Sequence, residues 1–276
     1  MHIPSPRSAR SVEHAESTVG RASARGELQL RYQPLVGLAD AAPVAVEALV
    51  RWWHPRGGLL TPETFLADLA RAGELPLLDD WVLRTAIADF AAHRRALSHD
   101  AAAIALHVNV SAERVLAPGL PELLVDAASK AGLPPSLVRI EVPEALVVDD
   151  LHGAARPIGQ LRDAGVAVVV DDAGSGISLR RLRAVAADGV KIDRCYVAGF
   201  LGSGRDRAVV QRLVDLAGEA GLAVTVVGVE TEEQRAALLG MGCPTAQGWL
   251  FAAADPLAEC LTGSTNGMER ERAAVV

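Results

Sequence analysis

Apolar β-type runs recur along this chain with helix-patterned stretches between them, and that alternation limits the possible folds more than any other feature. The runs are Leu28–Leu38, Val44–Trp52, Ala103–Ser111, Leu137–Val142, Val166–Asp171, Gly189–Ile192, Ala223–Val229 and Thr245–Phe251. Thr61–Ala72 and Leu78–Ala96 are amphipathic; the first opens Thr61-Pro62-Glu63, with proline in the first turn of a helix. Arg205–Ala220 places Val209, Val210, Leu213 and Leu216 on one helical stripe. Strands separated by helices pair in parallel through crossovers. About eight of them in 276 residues predict one closed α/β unit, a modified TIM-type (β/α)8 barrel. The link from Ala39 to Pro43 is too short for a helix, so strand one should run antiparallel to strand two. With 50% hydrophobic residues, the chain can fill the core such a barrel needs.

Residues 1–26 read as a polar leader, 27–258 as the barrel and 259–276 as a polar tail. The leader has no apolar segment of the signal-peptide kind, and no run approaches the roughly 20 apolar residues of a membrane span. Cys195, Cys243 and Cys260 lack metal-ligand spacing, which fits a cytoplasmic protein with reduced, buried thiols. Lys and Arg number 27 against 34 Asp and Glu, a net charge of −7. That balance argues against duplex nucleic acid as a partner but leaves room for a small anionic ligand in a locally positive pocket.

Barrel enzymes carry their chemistry at the carboxyl ends of the strands. Those ends hold Glu47 and Arg51, Asn109, Glu141, Asp171 and Asp172, Lys191, and Gln247. Glu47 and Arg51 share parity and can face the same side of their strand. A single acid at a strand end is usually solvated or caps a helix. Polar residues from six strands converging on one mouth are harder to dismiss. The donors are all oxygens, which suits Mg²⁺ or Mn²⁺ better than zinc, and the adjacent aspartates suit a two-ion cluster of the kind that activates water against a phosphodiester.

These residues also carry a family resemblance. Tyr32-Gln33-Pro34, Glu47-Ala48-Leu49-Val50-Arg51-Trp52, Val108-Asn109-Val110-Ser111, Asp171-Asp172, Val190-Lys191-Ile192-Asp193, Gly228-Val229-Glu230-Thr231 and Gln247-Gly248 occur in the order expected of the EAL-domain family of cyclic di-GMP phosphodiesterases. Between Gln33 and about Pro256 the chain resembles that family. The resemblance implies a metal held by Glu47, Asn109, Glu141 and Asp171, and a second held by Asp171 and Asp172. It implies that Lys191 orients the attacking water and that Arg51 pairs with a ligand phosphate. Gln33, Glu230 and Gln247 would lie near the ligand or its rim, and Glu144 would hold the loop that follows Asp172. A homodimer is implied as well.

The chain departs from that pattern at a few positions. Active members carry a glutamate where Val227 stands, and Gly228 to Thr231 pin the register. A valine offers no donor atom, so the second ion site is weakened, and Glu219 belongs to the preceding helix. The loop reads Asp171-Asp172-Ala173-Gly174-Ser175-Gly176-Ile177, in which Ala173 and Ile177 replace aromatic residues and put the dimer coupling in question. Pro143 replaces a threonine and is expected to shift Glu144. His107 has the parity of Asn109 and reads as barrel interior. Three functions stay open: a cyclic di-GMP-binding domain with impaired hydrolysis to pGpG, an active Mg²⁺- or Mn²⁺-dependent phosphodiesterase, or an interaction module for a separate regulatory protein that binds no nucleotide.

Overall fold

The computed structural model describes residues 17–96, 104–174 and 176–262. Nine strands lie in it: β1 (Leu28–Gly37), β2 (Pro43–His54), β3 (Gly58–Leu60), β4 (Ala105–Asn109), β5 (Val138–Pro143), β6 (Ala167–Ala173), β7 (Gly189–Ile192), β8 (Ala223–Val227) and β9 (Thr245–Gln247). Following the hydrogen-bonded neighbours gives β1-β9-β8-β7-β6-β5-β4-β2, and a further β1–β2 pairing closes the circle. β3 is appended to β2 outside it, as a short antiparallel hairpin that the sequence pattern did not reveal.

From β2 through β9 the barrel strands are parallel, and β1 alone is antiparallel to both of its neighbours. The expected antiparallel first strand is therefore present. Its reversal brings the early part of β1 to the carboxyl ends of the others, with Gln33 directly opposite Glu47. Several strands end earlier than their apolar runs: β8 stops at Val227 and β9 at Gln247. Ala103, within the expected third strand, lies outside the described residues.

Strands β4 to β8 are buried on both faces along most of their length, which is why they read as near-continuous apolar runs. Val108, Ile140, Val168, Val170, Val190 and Val226 face the surrounding helices in the main core. Residues of the other parity fill the lumen, and the apolar ones at its lower end (Leu35, Ala45 and Ala105) form a separate small cluster. The polar character of the opposite, upper end is what positions the site.

Within the expected polar leader, Thr18–Ala24 is helical; Ser17 caps it, and both Glu74 oxygens accept from its first amides. Val19 and Ala22 are buried, so this segment packs on the barrel. The rest of that leader, residues 1–16, lies outside the described residues. At the other end, Leu257–Thr262 is helical and Cys260 is buried, so packed structure continues past residue 258. The expectation of buried thiols holds for Cys243 and Cys260, whereas Cys195 is exposed after β7; all three are free.

Candidate active site

Alternation along each strand sends one residue from every second position into the lumen. At the carboxyl end those residues are Glu47 on β2, Asn109 on β4, Glu141 on β5, Asp171 on β6, Lys191 on β7 and Gln247 on β9. Glu47, Glu141 and Asp171 each offer a carboxylate oxygen, and the three oxygens lie within 4.8 Å of one another. Lys191, fully buried, donates to Glu47 Oε2 and Glu141 Oε2 at 2.8 Å each and stands 3.7 Å from Asp171 Oδ2.

Side-chain donors complete the shell around these acids. Asn109 Nδ2 donates to Glu47 Oε1 at 2.6 Å, and Gln247 Nε2 donates to Glu47 Oε2 at 2.8 Å and to Gln33 Oε1 at 3.1 Å. Gln33 in turn donates to the carbonyl of Ala252 at 2.9 Å. His107 lies one inward position below Asn109, with Nδ1 2.7 Å from Glu141 Oε1. Burial, reinforced by the charges of Lys191 and Arg139, lowers the His107 pKa to about 3, so the imidazole is neutral and orients Glu141 rather than exchanging protons near neutral pH.

Three carboxylates facing one ammonium leave negative charge in excess. Burial and then the Glu47 charge push Glu141 well above the usual carboxylate range. Burial, aided by Glu47 and Asp172 and opposed by Lys191, raises Asp171 to about 6. Glu47 goes the other way: burial works against its charge, but Lys191, with hydrogen bonds from Lys191, Gln247 and Asn109, holds it at about 2. Burial also opposes the charge on Lys191, yet Asp171, Glu141 and Glu47 outweigh it and keep the ammonium protonated. A divalent cation with oxygen ligands fits this donor set, because it would cancel the excess charge and each carboxylate keeps one oxygen with a free lone pair, Oε1 in the case of Glu47. Among the described residues the buried Gln247 Oε1 has no hydrogen-bond partner, and it offers a further oxygen.

Asp172 is not part of this cluster. It is exposed, with φ of 55°, at the point where the β6–β7 register shifts. Its amide donates to Asp171 Oδ1 at 2.8 Å, which fixes the preceding carboxylate. The charge nearest in effect after burial is Asp193, which further raises the Asp172 pKa. Across the mouth, Val227 ends β8 opposite Gln247, half-buried and with the inward parity of Thr225.

The remaining expected residues are placed as follows. Arg51 is buried on β2, and its Nη1 donates to the carbonyl of Val50. Glu230 is exposed beyond β8 and stands outside the carboxylate cluster; its amide donates to Gln234 Oε1, part of the capping arrangement of the helix Glu232–Gly240. Glu144 Oε1 accepts from the Gly174 amide at 3.1 Å, so it does reach the loop after β6. Pro143, at φ of −64°, occupies the cap position of the helix Glu144–Asp149. Ala173 and Ile177, where aromatics were expected, are both buried, and Ser175 lies outside the described residues.

Two glycines hold the loops that border the mouth. A Cβ on Gly248 would fall 2.1 Å from the carbonyl oxygen of Val229. Gly228, at φ of 84°, would bring a Cβ to 2.7 Å from that of Arg194. The first contact clamps the segment after β9 against the segment after β8, and the second packs the segment after β8 against the turn that follows β7.

The family model for the EAL domain matches residues 16–254. An uncharacterized protein of Mycobacterium tuberculosis is 38% identical over 230 residues, covering 82% of this chain and 36% of the relative. A protein of Pseudomonas aeruginosa named cyclic di-GMP phosphodiesterase NbdA is 36% identical over 233 residues, covering 84% of this chain and 29% of the relative. The chain thus spans about a third of the length of these curated relatives. A solved structure of the phosphodiesterase PaMucR in complex with cyclic di-GMP superposes with a TM-score of 0.82 at 32% identity, covering 90% of this chain and 99% of that one.

Proposed function

Because the chain belongs to the EAL domain family, we propose that it is a cyclic di-GMP-binding domain whose hydrolysis of the nucleotide to pGpG is impaired. The observation that carries this reading is the contrast at the mouth: Glu47, Glu141 and Asp171 are assembled around Lys191, while Val227 brings no oxygen to the opposite side. The names of NbdA and the PaMucR complex support the choice of nucleotide.

In this reading Glu47, Asn109, Glu141 and Asp171 hold one Mg²⁺ or Mn²⁺, and Asp171 and Asp172 hold a second more weakly. A bound divalent ion would supply Lewis-acid polarisation of the phosphodiester and a more acidic water. Lys191 orients the attacking water, and its three carboxylate neighbours keep it charged and fixed. Arg51 contributes a planar, permanently charged fork to a ligand phosphate. Gln33 and Gln247 form a hydrogen-bonded rim, with Glu230 farther out. Glu144 holds the loop through Gly174. The free cysteines fit a reducing cytoplasm, and among the described residues no helix is long and apolar enough to cross a membrane. A homodimer or a separate regulatory protein would supply control.

Titration calorimetry with cyclic di-GMP, with and without Mg²⁺, tests this directly. Saturable binding with slow or absent release of pGpG is expected. Absence of binding in both conditions contradicts it. The second reading, an active Mg²⁺- or Mn²⁺-dependent phosphodiesterase, is favoured by the complete set of acids around Lys191, and rapid release of pGpG would select it.

A further inference from the structure

The lower end of the barrel lumen holds a second cavity that the chemistry at the mouth does not use. It measures about 210 Å³ and is lined by residues that include His107, Arg139, Gly189, Thr225 and Thr245. Every one of the eight barrel strands contributes to its wall, so it lies on the barrel axis. Gly189 leaves it open where a side chain would meet Ala223 and Val169. Val44, which also lines it, is 43% exposed and marks an entrance from solvent.

From this lining we infer a binding site for a small tetrahedral oxyanion, of the size and charge of inorganic phosphate, on Arg139. The Nε of Arg139 is buried without a hydrogen-bond partner, and among the described residues Arg139 forms no ion pair. A buried donor left without a partner is destabilising, so something is expected to meet it. The described lining contains no carboxylate, while Thr225 and Thr245 add hydroxyl donors. A guanidinium matches a phosphate-type anion through two parallel hydrogen bonds, which water cannot reproduce.

Size excludes larger ligands. Drug-sized molecules occupy pockets of about 300 Å³ and more, so a nucleotide does not fit, whereas an oxyanion with a few waters does. Arg139 stands two residues before Glu141 on the same face of β5, roughly 7 Å along the strand. His107 lies between the two ends: it lines the cavity and contacts Glu141 Oε1 at 2.7 Å. The anion would therefore sit beneath the acid cluster, with the His107–Glu141 pair between them, at a place distinct from Arg51 at the mouth.

Crystals of the full chain soaked in selenate should show an anomalous peak in the lower lumen within hydrogen-bonding distance of Arg139. No peak there at saturating selenate overturns the proposal. In solution, inorganic phosphate should raise the melting temperature of the wild-type chain. Arg139→Leu should abolish that rise and Arg139→Lys should weaken phosphate binding about tenfold, through loss of the fork. A rise that survives Arg139→Leu and disappears in Arg51→Ala would assign the anion to the mouth and overturn the site. Should Arg139→Leu not fold, the selenate map decides alone.

Discussion

On the β2, β4 and β5 side of the barrel mouth the acids are each held by polar partners: Glu47 by Asn109, Gln247 and Lys191, and Glu141 by His107 and Lys191. On the β6 to β8 side, Asp171 and Lys191 join that cluster, but Asp172 is exposed on a left-handed turn and Val227 presents only carbon. The two sides share one scaffold, and they differ both in side chains, at Val227, and in backbone, at the register shift that carries Asp172. Preorganised acids on one side favour cation and nucleotide binding. Missing oxygen on the other removes what a second ion would need, and binding and turnover can separate on the same fold.

The largest expected effect comes from removing the charge that the well-ordered side depends on. Lys191→Met leaves Glu47, Glu141 and Asp171 without their ammonium, and breaking such a buried arrangement costs roughly 3–5 kcal/mol. Urea denaturation without metal should show that loss, Mn²⁺ should restore part of it, and turnover should vanish. Unchanged stability would mean that the acids are neutral in the folded chain and that the contrast between the sides is overstated.

Val227→Glu addresses the poorer side. Supplying the missing carboxylate should raise the pGpG release rate about 10–100-fold, the range by which metal-site partners alter activity. Activity that stays flat while cyclic di-GMP still binds would move the defect from Val227 to the loop that begins at Ala173.

Proton competition gives a smaller, graded effect. Asp171 sits at about 6 through burial, with Glu47 and Asp172 adding to it. A protonated carboxyl cannot ligate, so Mn²⁺ affinity should climb as pH rises through about 6, and Glu141, also raised by burial and then by the Glu47 charge, should add to that climb. Calorimetry in buffers of different ionisation enthalpy should detect the released proton. A flat profile between about pH 5 and 7 would show that Asp171 is not a ligand.

Smallest is the loop tether. Glu144→Ala removes the acceptor for the Gly174 amide, which should cost roughly 1 kcal/mol and speed hydrogen exchange at that amide. Exchange that does not change would separate Glu144 from the loop.

Much of the barrel was legible in the sequence because its strands are buried on both faces and its helices carry one apolar stripe. The short link at Ala39–Pro43 was enough to reverse β1, and that reversal placed Gln33 opposite Glu47. Strand ends were less legible. The apolar residues of Gly228-Val229 and Trp249-Leu250-Phe251 continue the pattern, but Gly228 and Gly248 break the ladder through close backbone approach, which composition does not report. Parity on β4 also pointed to His107, though only its distance to Glu141 gives it a positioning role. The helix Thr18–Ala24 was hidden in a polar stretch because just a few of its residues, Val19 and Ala22 among them, are apolar and buried. Adjacency of Asp171 and Asp172 did not report that the backbone turns to a φ of 55° at Asp172, where the side chain is the more exposed of the two.

The proposed function requires one well-built ion site and one incomplete one, and counting ions tests that most directly. Manganese titrated into the chain with cyclic di-GMP present, followed by calorimetry, should give one tight ion per chain and a second only at far higher concentration. Two ions of equal, high affinity on the unmodified chain would contradict it.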